Sequence, residues 1–295
     1  MRATNPIGVF DSGVGGLSIL HHIRLELPQE DFIYIADTAH IPYGSKSEAS
    51  VTQRSITLTQ FFLRQDVKAI VIACNTATAA AIATLRSLHS LPIVGVEPAV
   101  KPAITMTKSG IIGVLATNGT LASAKFGHLI ERFGKSVELI VQPCPGLVEQ
   151  VEKAELSGVV TRTLIEHYLT PLLKRGADTL VLGCTHYPFL KPLIEDIVGQ
   201  GIAIIDPGFA VSQQLRHRLK LEGLLTEKDT PGEEQFWTSG DPEAIQQAIA
   251  RLWSQGIKLK RLPEPYTGIS TTSNDPNPSP SLLVKGLEFQ RFPSY

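Results

Sequence analysis

Ala69-Ile-Val-Ile-Ala-Cys74-Asn75-Thr76 is an apolar run that ends in a cysteine and small polar residues, and Thr179-Leu-Val-Leu-Gly-Cys184-Thr185-His186 repeats this pattern 110 positions later. An apolar run bounded by small residues is typical of a buried strand in a parallel sheet. Each cysteine then falls at the carboxyl end of its strand, the edge at which open α/β sheets bind ligands. One thiol from each of two equivalent strands can place two proton-transfer groups around one small molecule, which points to an enzyme.

Apolar segments alternate with amphipathic ones along most of the chain, which predicts an α/β fold built from βα units and parallel sheets. The predicted strands are Ile7–Phe10, Phe32–Ala36, Ala69–Ala73, Ile93–Val96, Ile111–Leu115, Val137–Val141, Thr179–Leu182 and Ile202–Ile205. The predicted helices are Gly16–Arg24, Ser47–Arg64, Thr76–Ser87, Thr120–Phe133, Val159–Lys174, Phe189–Val198, Val211–Glu222 and, after a charged turn at Glu227–Glu234, one near Pro242–Gln255.

The internal similarity extends beyond the two cysteine stretches. The segment 8–12 resembles 113–117, and 96–99 resembles 205–208, at offsets of 105 and 109 and in the same order along the chain. We infer two related halves that face each other about a pseudo-twofold axis, although buried strands also resemble one another by composition alone. The expected domains are residues 1–97 together with 208–266, and residues 98–207. The Ser-, Pro- and Asn-rich segment 267–295 is expected to be a flexible tail.

The composition excludes several classes of function. The chain has 295 residues, 43% of them hydrophobic and 19% charged, with a net charge of −1, so it offers no broad positive field for nucleic acid or anionic lipid. Its apolar runs are too short to cross a bilayer, and no signal region precedes the first strand. Three cysteines do not form a disulfide framework. We therefore expect a cytoplasmic protein with free thiols and no nucleic acid or membrane partner.

A glycine-rich turn, Asp11-Ser12-Gly13-Val14-Gly15-Gly16, follows the first predicted strand and opens a helix. Such a turn lets backbone N–H groups approach an anion at the helix N-terminus. The spacing matches neither dinucleotide nor nucleotide-phosphate motifs, and Asp11 would repel a phosphate. A tight turn without any ligand is the alternative.

The paired cysteines carry the strongest chemical signal. A thiol has a pKa of about 8.5 in water, close enough to neutrality to act as a base where its surroundings favour the thiolate. His186 follows Cys184 by two residues and could assist proton transfer to or from that thiol. An isolated cysteine is more often inert and buried, and Cys144 is interpreted in this way. A zinc site at Cys74, Cys184 and His186 is disfavoured because no metal-ligand spacing supports it.

Small neutral donors surround these cysteines in the sequence. The loop Ala36-Asp-Thr-Ala-His-Ile-Pro42-Tyr43-Gly44 follows the second predicted strand, and its Tyr43 hydroxyl and Gly44 N–H could meet a carboxylate. Five further donors flank the strand ends: Asn75, Thr76, Thr117, Thr120 and Thr185. Because no Lys or Arg occurs in these motifs, a small amino acid suits the site better than a phosphate ester.

Together the motifs resemble the glutamate racemase family, within the cofactor-independent aspartate/glutamate racemase superfamily. The matching segments are I-G-V-F-D-S-G-V-G-G, Y-I-A-D-T-A-H-I-P-Y-G, I-A-C-N-T-A-T, G-V-L-A-T-N-G-T and L-G-C-T-H-Y-P, spread from Ile7 to about Pro207. The resemblance implies two flavodoxin-like α/β domains with the active site between them. It also implies racemisation of L- and D-glutamate without a cofactor, which supplies D-glutamate for bacterial peptidoglycan.

The resemblance further assigns roles to individual residues. It implies that Cys74 and Cys184 are the catalytic thiols and that Asp11 and His186 assist them. The family pattern C-P-x-x-V-P-x-V-E places a further helper at Glu152, with Glu149 where the family often has proline. The implied substrate-binding residues are Asp11, Ser12, Pro42, Tyr43, Gly44, Asn75, Thr76, Thr117, Thr120, Thr185 and His186. A homodimer is expected, although the sequence itself does not report the oligomeric state.

Three other functions compete with this interpretation. The nearest is racemisation of aspartate or hydantoin on the same scaffold. A non-catalytic amino-acid-binding protein with a hinged cleft would have no need for paired thiols. A thiol redox protein is disfavoured by the absence of C-x-x-C and by the separation of the two cysteines in the sequence.

Overall fold

The structure is a computed structural model that describes residues 1–134 and 136–268. The described residues form ten strands: β1 (Ile7–Asp11), β2 (Phe32–Ala36), β3 (Ala69–Ile72), β4 (Ile93–Gly95), β5 (Ile111–Ala116), β6 (Glu138–Pro143), β7 (Thr179–Leu182), β8 (Ala203–Ile205), β9 (Glu234–Thr238) and β10 (Leu259–Arg261). They also form eleven α-helices: α1 (Leu17–Glu26), α2 (Glu48–Arg64), α3 (Asn75–Leu88), α4 (Val100–Met106), α5 (Asn118–Leu121), α6 (Ala124–Phe133), α7 (Leu147–Glu152), α8 (Val159–Lys174), α9 (Lys191–Val198), α10 (Gly208–Leu221) and α11 (Pro242–Leu252). None of these helices is long and apolar enough to cross a membrane.

The strands form two sheets, and every strand pair in them is parallel. The first domain contains a six-stranded sheet in the order β10-β9-β2-β1-β3-β4, and the second a four-stranded sheet in the order β6-β5-β7-β8. These sheets confirm the predicted fold class of two parallel-sheet α/β domains. The domain boundaries near residues 97 and 207, and a pseudo-twofold axis between the domains, remain predictions.

The same strand order recurs in both sheets. In each, the second strand along the chain lies at one side of the first, and the third and fourth lie at the other side. The matched segments therefore occupy matched places: 8–12 lies at β1 and 113–117 at β5, and the two cysteine stretches lie at β3 and β7. The second strand is added on one side of the first and the third strand on the other, so each sheet has its switch point between its first and third strands.

Alternating side chains fill a separate core on each face of the first sheet. Ile7 and Val9 of β1 point into a core shared with α1, α10 and the second domain, whereas Phe10 points into a core beneath α2 and α3. A third core lies under α4 and α6 of the second domain. The strands β1, β2 and β3 are thus buried on both faces, which explains their continuous apolar runs.

The chain returns to the first sheet through β9 and β10, which the sequence pattern did not predict. The proposed charged turn at Glu227–Glu234 ends in the first residue of β9, and this strand pairs with β2. Of its five residues only Phe236 and Thr238 are buried, so the strand lacks the apolar run that marks the central strands. The edge strand β10, Leu-Lys-Arg, carries even less signal.

Helix boundaries also differ in places from those predicted. The helix expected at Thr120–Phe133 is two helices, because Ser123 caps α6 by accepting a hydrogen bond from the Phe126 N–H. Helices α4 and α7 were not predicted, since seven and six residues are too short for a clear period. The expected flexible tail begins with Thr267, which is buried; its residues 269–295 lie outside the described residues.

Candidate active site

The carboxyl ends of the four central strands meet around one cavity of about 160 Å³. Both domains contribute to its wall, β1 and β3 from one side and β5 and β7 from the other, as their switch points require. Twelve residues expected in the site line it: Ser12, Pro42, Tyr43, Gly44, Cys74, Asn75, Thr76, Thr117, Thr120, Cys184, Thr185 and His186. The cavity is smaller than the roughly 300–1,000 Å³ of sites for drug-sized ligands, so it suits a small metabolite.

Cys74 lies at the N-cap of α3 and is almost fully buried. Its Sγ accepts a hydrogen bond from the Ala77 N–H at 3.4 Å and lies 3.9 Å from the Ser12 Oγ. Burial, and next the negative charge of Asp11, raise the pKa of this thiol above its ordinary value. Cys74 therefore carries its proton at neutral pH.

Cys184 belongs to a chain of three groups. Its Sγ lies 3.7 Å from Nδ1 of His186, and Nε2 of His186 lies 2.5 Å from Oε1 of Glu152. Burial alone would lower the pKa of His186, but the hydrogen bonds to Cys184 and Glu152 outweigh it and raise that pKa well above its usual value. Both neighbours thus favour the protonated imidazole, in which both ring nitrogens donate and a positive charge faces the Cys184 sulfur.

The glycine-rich turn does bind an anion, and the anion is the protein's own carboxylate. The Val14 N–H donates to Oε1 of Glu152 at 2.8 Å, at the start of α1. A Cβ on Gly13 would overlap that carboxylate, and a Cβ on Gly15 would overlap the His186 ring. The glycines thus allow two side chains of the second domain to approach the backbone of the first.

Asp11 lies behind the cavity wall and is fully buried. It accepts hydrogen bonds from the Gly13 N–H at 3.0 Å and from the Thr185 hydroxyl at 3.2 Å. Burial raises its pKa, while the His186 charge opposes that shift. Asp11 therefore links the Cys74 side of the cavity, through Thr185, to the Cys184 side.

Asn75 carries polar atoms that no group within residues 1–134 and 136–268 satisfies. Both the amide oxygen and the amide nitrogen of this buried side chain lack a hydrogen-bond partner, and the residue lines the cavity. Buried polar atoms are rarely left unpaired, so this side chain indicates a ligand with both donors and acceptors. Among the described residues, no Lys or Arg lines the cavity, and the N-terminus of α3 offers positive potential in their place.

Three threonine hydroxyls form a second polar group on the same wall. Thr76 lies 3.0 Å from Thr117 and 3.3 Å from Thr120, and the last two are 3.1 Å apart. Hydroxyls donate and accept, so this cluster can turn its protons toward or away from a bound carboxylate.

The Tyr43 hydroxyl has a partner outside the cavity. It donates to Oδ2 of Asp37 at 2.6 Å, and burial together with the Asp37 charge raises the pKa of Tyr43 well above its ordinary value. The hydroxyl therefore faces Asp37, whereas from the sequence we expected it to contact a substrate carboxylate. Gly44, the next residue, lies against Thr117 across the cavity.

Part of the wall had no clear signal in the sequence. The additional lining residues are Ser45, Asn118, Cys144, Pro145, Gly146, Val148 and Glu149, five of them in α7 or in the turn before it. Cys144, interpreted as structural, is buried in this wall with its thiol 3.3 Å from the Gln142 carbonyl oxygen. Gly146, which is left-handed in this turn, is the residue whose type could have indicated a turn here from the sequence.

The described residues include no group of three or more His, Cys, Asp or Glu side chains arranged to hold a metal ion. All three cysteines are free thiols. The chemistry that the site can perform with its own side chains is thus acid–base transfer between two thiols, one of which faces an imidazolium.

Comparison with known proteins identifies the family of this chain. Residues 15–215 match the model of the Asp/Glu/hydantoin racemase family. A curated relative from Methylococcus capsulatus, named glutamate racemase, is 52% identical over 259 residues, which cover 88% of this chain and 96% of the relative.

Solved structures of glutamate racemases share the fold. The isoform RacE1 from Bacillus anthracis has a TM-score of 0.82 at 32% identity and covers 90% of this chain and 99% of its own. The Escherichia coli enzyme, solved in complex with L-glutamate and the activator UDP-MurNAc-ala, has a TM-score of 0.77 at 31% identity and covers 88% of this chain and 98% of its own. The chain therefore belongs to the Asp/Glu/hydantoin racemase family.

Proposed function

We propose that this protein is a glutamate racemase that interconverts L- and D-glutamate by two-thiol proton transfer at the α-carbon, without a cofactor. One observation carries the proposal: Cys74 of the first domain and Cys184 of the second line the same small cavity. Racemisation must remove the α-proton from one face and deliver a proton to the other, so it needs an acid and a base on opposite sides.

The two thiols have unequal surroundings in the resting enzyme, and this assigns their first roles. The Cys184 sulfur lies 3.7 Å from Nδ1 of His186, whose protonated form its neighbours favour, whereas burial and the Asp11 charge raise the pKa of Cys74. We assign Cys184 as the base for one enantiomer: its thiolate takes the α-proton, and Cys74 donates its own proton to the opposite face. After this turnover Cys184 is a thiol and Cys74 a thiolate, which is the state that the other enantiomer requires.

The planar carbanionic intermediate needs stabilisation that the thiols do not give. Neutral donors around the substrate carboxylate and the N-terminus of α3 supply positive potential in the cavity. The unpaired amide of Asn75 and the hydroxyl cluster are the groups best placed to hold the substrate's polar atoms. Glu152 and Asp11 act behind them, on His186 and on the glycine-rich turn.

Glutamate is favoured over aspartate or hydantoin by the relatives. The Methylococcus capsulatus relative bears the name glutamate racemase, and the Escherichia coli structure is in complex with L-glutamate. We further propose that the product D-glutamate is used for bacterial peptidoglycan and that the enzyme works in the cytoplasm, where its free thiols stay reduced. The homodimer remains a prediction that light scattering would check.

The test incubates the protein with L-glutamate in D₂O, without added cofactor, and follows circular dichroism and deuterium at the α-carbon. We expect the optical signal to decay to zero while deuterium enters the product. Parallel incubations with L-aspartate and with a hydantoin separate the related reactions. An unchanged signal with L-glutamate and no exchange would exclude the proposed activity.

A further inference from the structure

One wall of the cavity is formed by the loop 37–45, which joins β2 to α2. Pro42, Tyr43, Gly44 and Ser45 of this loop line the cavity. On its far side Gly44 contacts Thr117 of the second domain closely enough that a Cβ would lie 3.1 Å from the Thr117 Cβ. The position of this loop therefore sets the width of the cavity between the domains.

A buried carboxylate holds the loop from beneath. Asp37 is fully buried, and its Oδ2 accepts hydrogen bonds from the Tyr43 hydroxyl at 2.6 Å and from Arg54 Nε at 2.8 Å. Its Oδ1 accepts from Arg54 Nη2 at 2.6 Å and lies 3.2 Å from Nδ1 of His40. The planar guanidinium thus donates a hydrogen bond to each carboxylate oxygen, a bidentate geometry that lysine cannot reproduce.

The same loop is fastened to the edge of the first sheet. The hydroxyls of Thr38 and Thr238 lie 2.7 Å apart, and the Ala39 N–H donates to the Ser239 hydroxyl at 3.1 Å. These bonds fix the start of the loop at the end of β9. In the part of the chain that the structure describes, the segment that lines the cavity has no such attachment to the sheet, and its link to helix α2 runs through Arg54, Asp37 and Tyr43.

We propose that Arg54 is a positioning residue. Acting through Asp37 and the Tyr43 hydroxyl, it holds the loop 37–45 in the position that gives the cavity the width needed by the substrate. Arg54 does not line the cavity, and its charge is matched by Asp37, so it does not bind the substrate itself. The inference rests on the proposed racemase function for its kinetic test. No Lys or Arg lines the cavity among the described residues. The nearby cation, Arg54, is paired with Asp37 and holds the cavity wall.

The test compares two mild variants. Arg54→Lys keeps the positive charge but loses the paired hydrogen bonds to the two Asp37 oxygens. Tyr43→Phe removes the hydroxyl that joins the wall to Asp37. We expect KM for both enantiomers to rise about tenfold in the first and about fivefold in the second, with kcat near that of the wild type. The loosened wall should also make Cys74 and Cys184 react severalfold faster with iodoacetamide, as measured by mass spectrometry of the two peptides.

A matched control separates positioning from stability. Glu30 and Lys68 form another buried ion pair in the first domain, at the amino-terminal edge of the sheet, and neither lines the cavity. Glu30→Gln should lower the melting temperature while KM and the alkylation rates stay at wild-type values. If Arg54→Lys and Tyr43→Phe leave both KM and alkylation unchanged, or if Glu30→Gln raises them equally, the inference is wrong. A wild-type protein that does not racemise glutamate would instead overturn the proposed function, and the alkylation rates would still decide the role of Arg54.

Discussion

Replacing Glu152 with Gln is expected to move the alkaline limb of the pH–rate profile to lower pH. Glutamine keeps the size of the side chain and an oxygen that can accept from the Val14 N–H and from His186. What it removes is the negative charge that favours the protonated imidazole. Because a protonated His186 faces Cys184, activity that depends on it is lost as pH rises through the pKa of His186, and a lower pKa brings that loss earlier.

The size of this shift follows from the contact. A hydrogen bond to a charged group contributes about 1.5–3 kcal/mol, against about 1 kcal/mol for a neutral one. Because the ring is buried and the Glu152 side chain is only 15% exposed, solvent screens the pair weakly. A loss of about 1.4 kcal/mol corresponds to about one pH unit.

The assay is kcat/KM for glutamate as a function of pH, measured by circular dichroism from both enantiomers. Since the equilibrium constant between enantiomers is one, the shift must be the same in both directions. Glu155→Gln, an exposed carboxylate three residues further on, is the control and should leave the profile unchanged. An alkaline limb that stays in place in Glu152→Gln would refute the role assigned to this carboxylate.

Three further outcomes are expected. Cys74→Ser and Cys184→Ser should each lower racemisation by about 10²–10⁴-fold with unchanged far-ultraviolet circular dichroism, and normal turnover in both variants would exclude the two-base mechanism. Gly15→Ala should displace the His186 ring and lower kcat/KM by about a hundredfold, while the melting temperature, measured in parallel, changes little. Burial alone would raise the pKa of Asp37, but hydrogen bonds from neighbouring side chains hold this pKa well below its usual range. The ionised carboxylate therefore stabilises the fold above about pH 4, and this stabilisation is lost as the pH falls further. Urea unfolding should accordingly show that an Asp37→Asn variant loses less stability than the wild type between about pH 6 and about pH 3.

The central strands and the positions of the two cysteines could be predicted because buried parallel strands are written as continuous apolar runs. β2 and β7 have the predicted bounds, and Cys184 lies two residues after β7 ends. The strands β9 and β10 could not be found in this way. They lie at the side of the sheet where few of their residues are buried, so packing leaves little trace in their composition.

The residues of the candidate site also differ in whether the local sequence indicates them. Cys74, Cys184 and His186 could be proposed from local spacing, because each belongs to a strand end or its first turn. Glu152 came from the resemblance alone, since its contact with His186 joins two segments of the second domain that lie 34 positions apart in the chain. The Asp37–Arg54 pair was missed because one arginine on an amphipathic helix has no sequence mark that distinguishes a buried fork from a solvated side chain.

The late return of the chain to the first sheet has a consequence for synthesis on the ribosome. The four strands of the second sheet have all been synthesised at Ile205. One edge of β2, in contrast, has no pairing partner until β9 is synthesised, and β9 begins only at Glu234. Roughly 200 residues separate β2 from β9, so at about 5–20 residues per second the edge of β2 stays open for about 10–40 s. The domain that starts first is therefore finished last, and its open edge is the part of the nascent chain that most needs protection from pairing with another molecule.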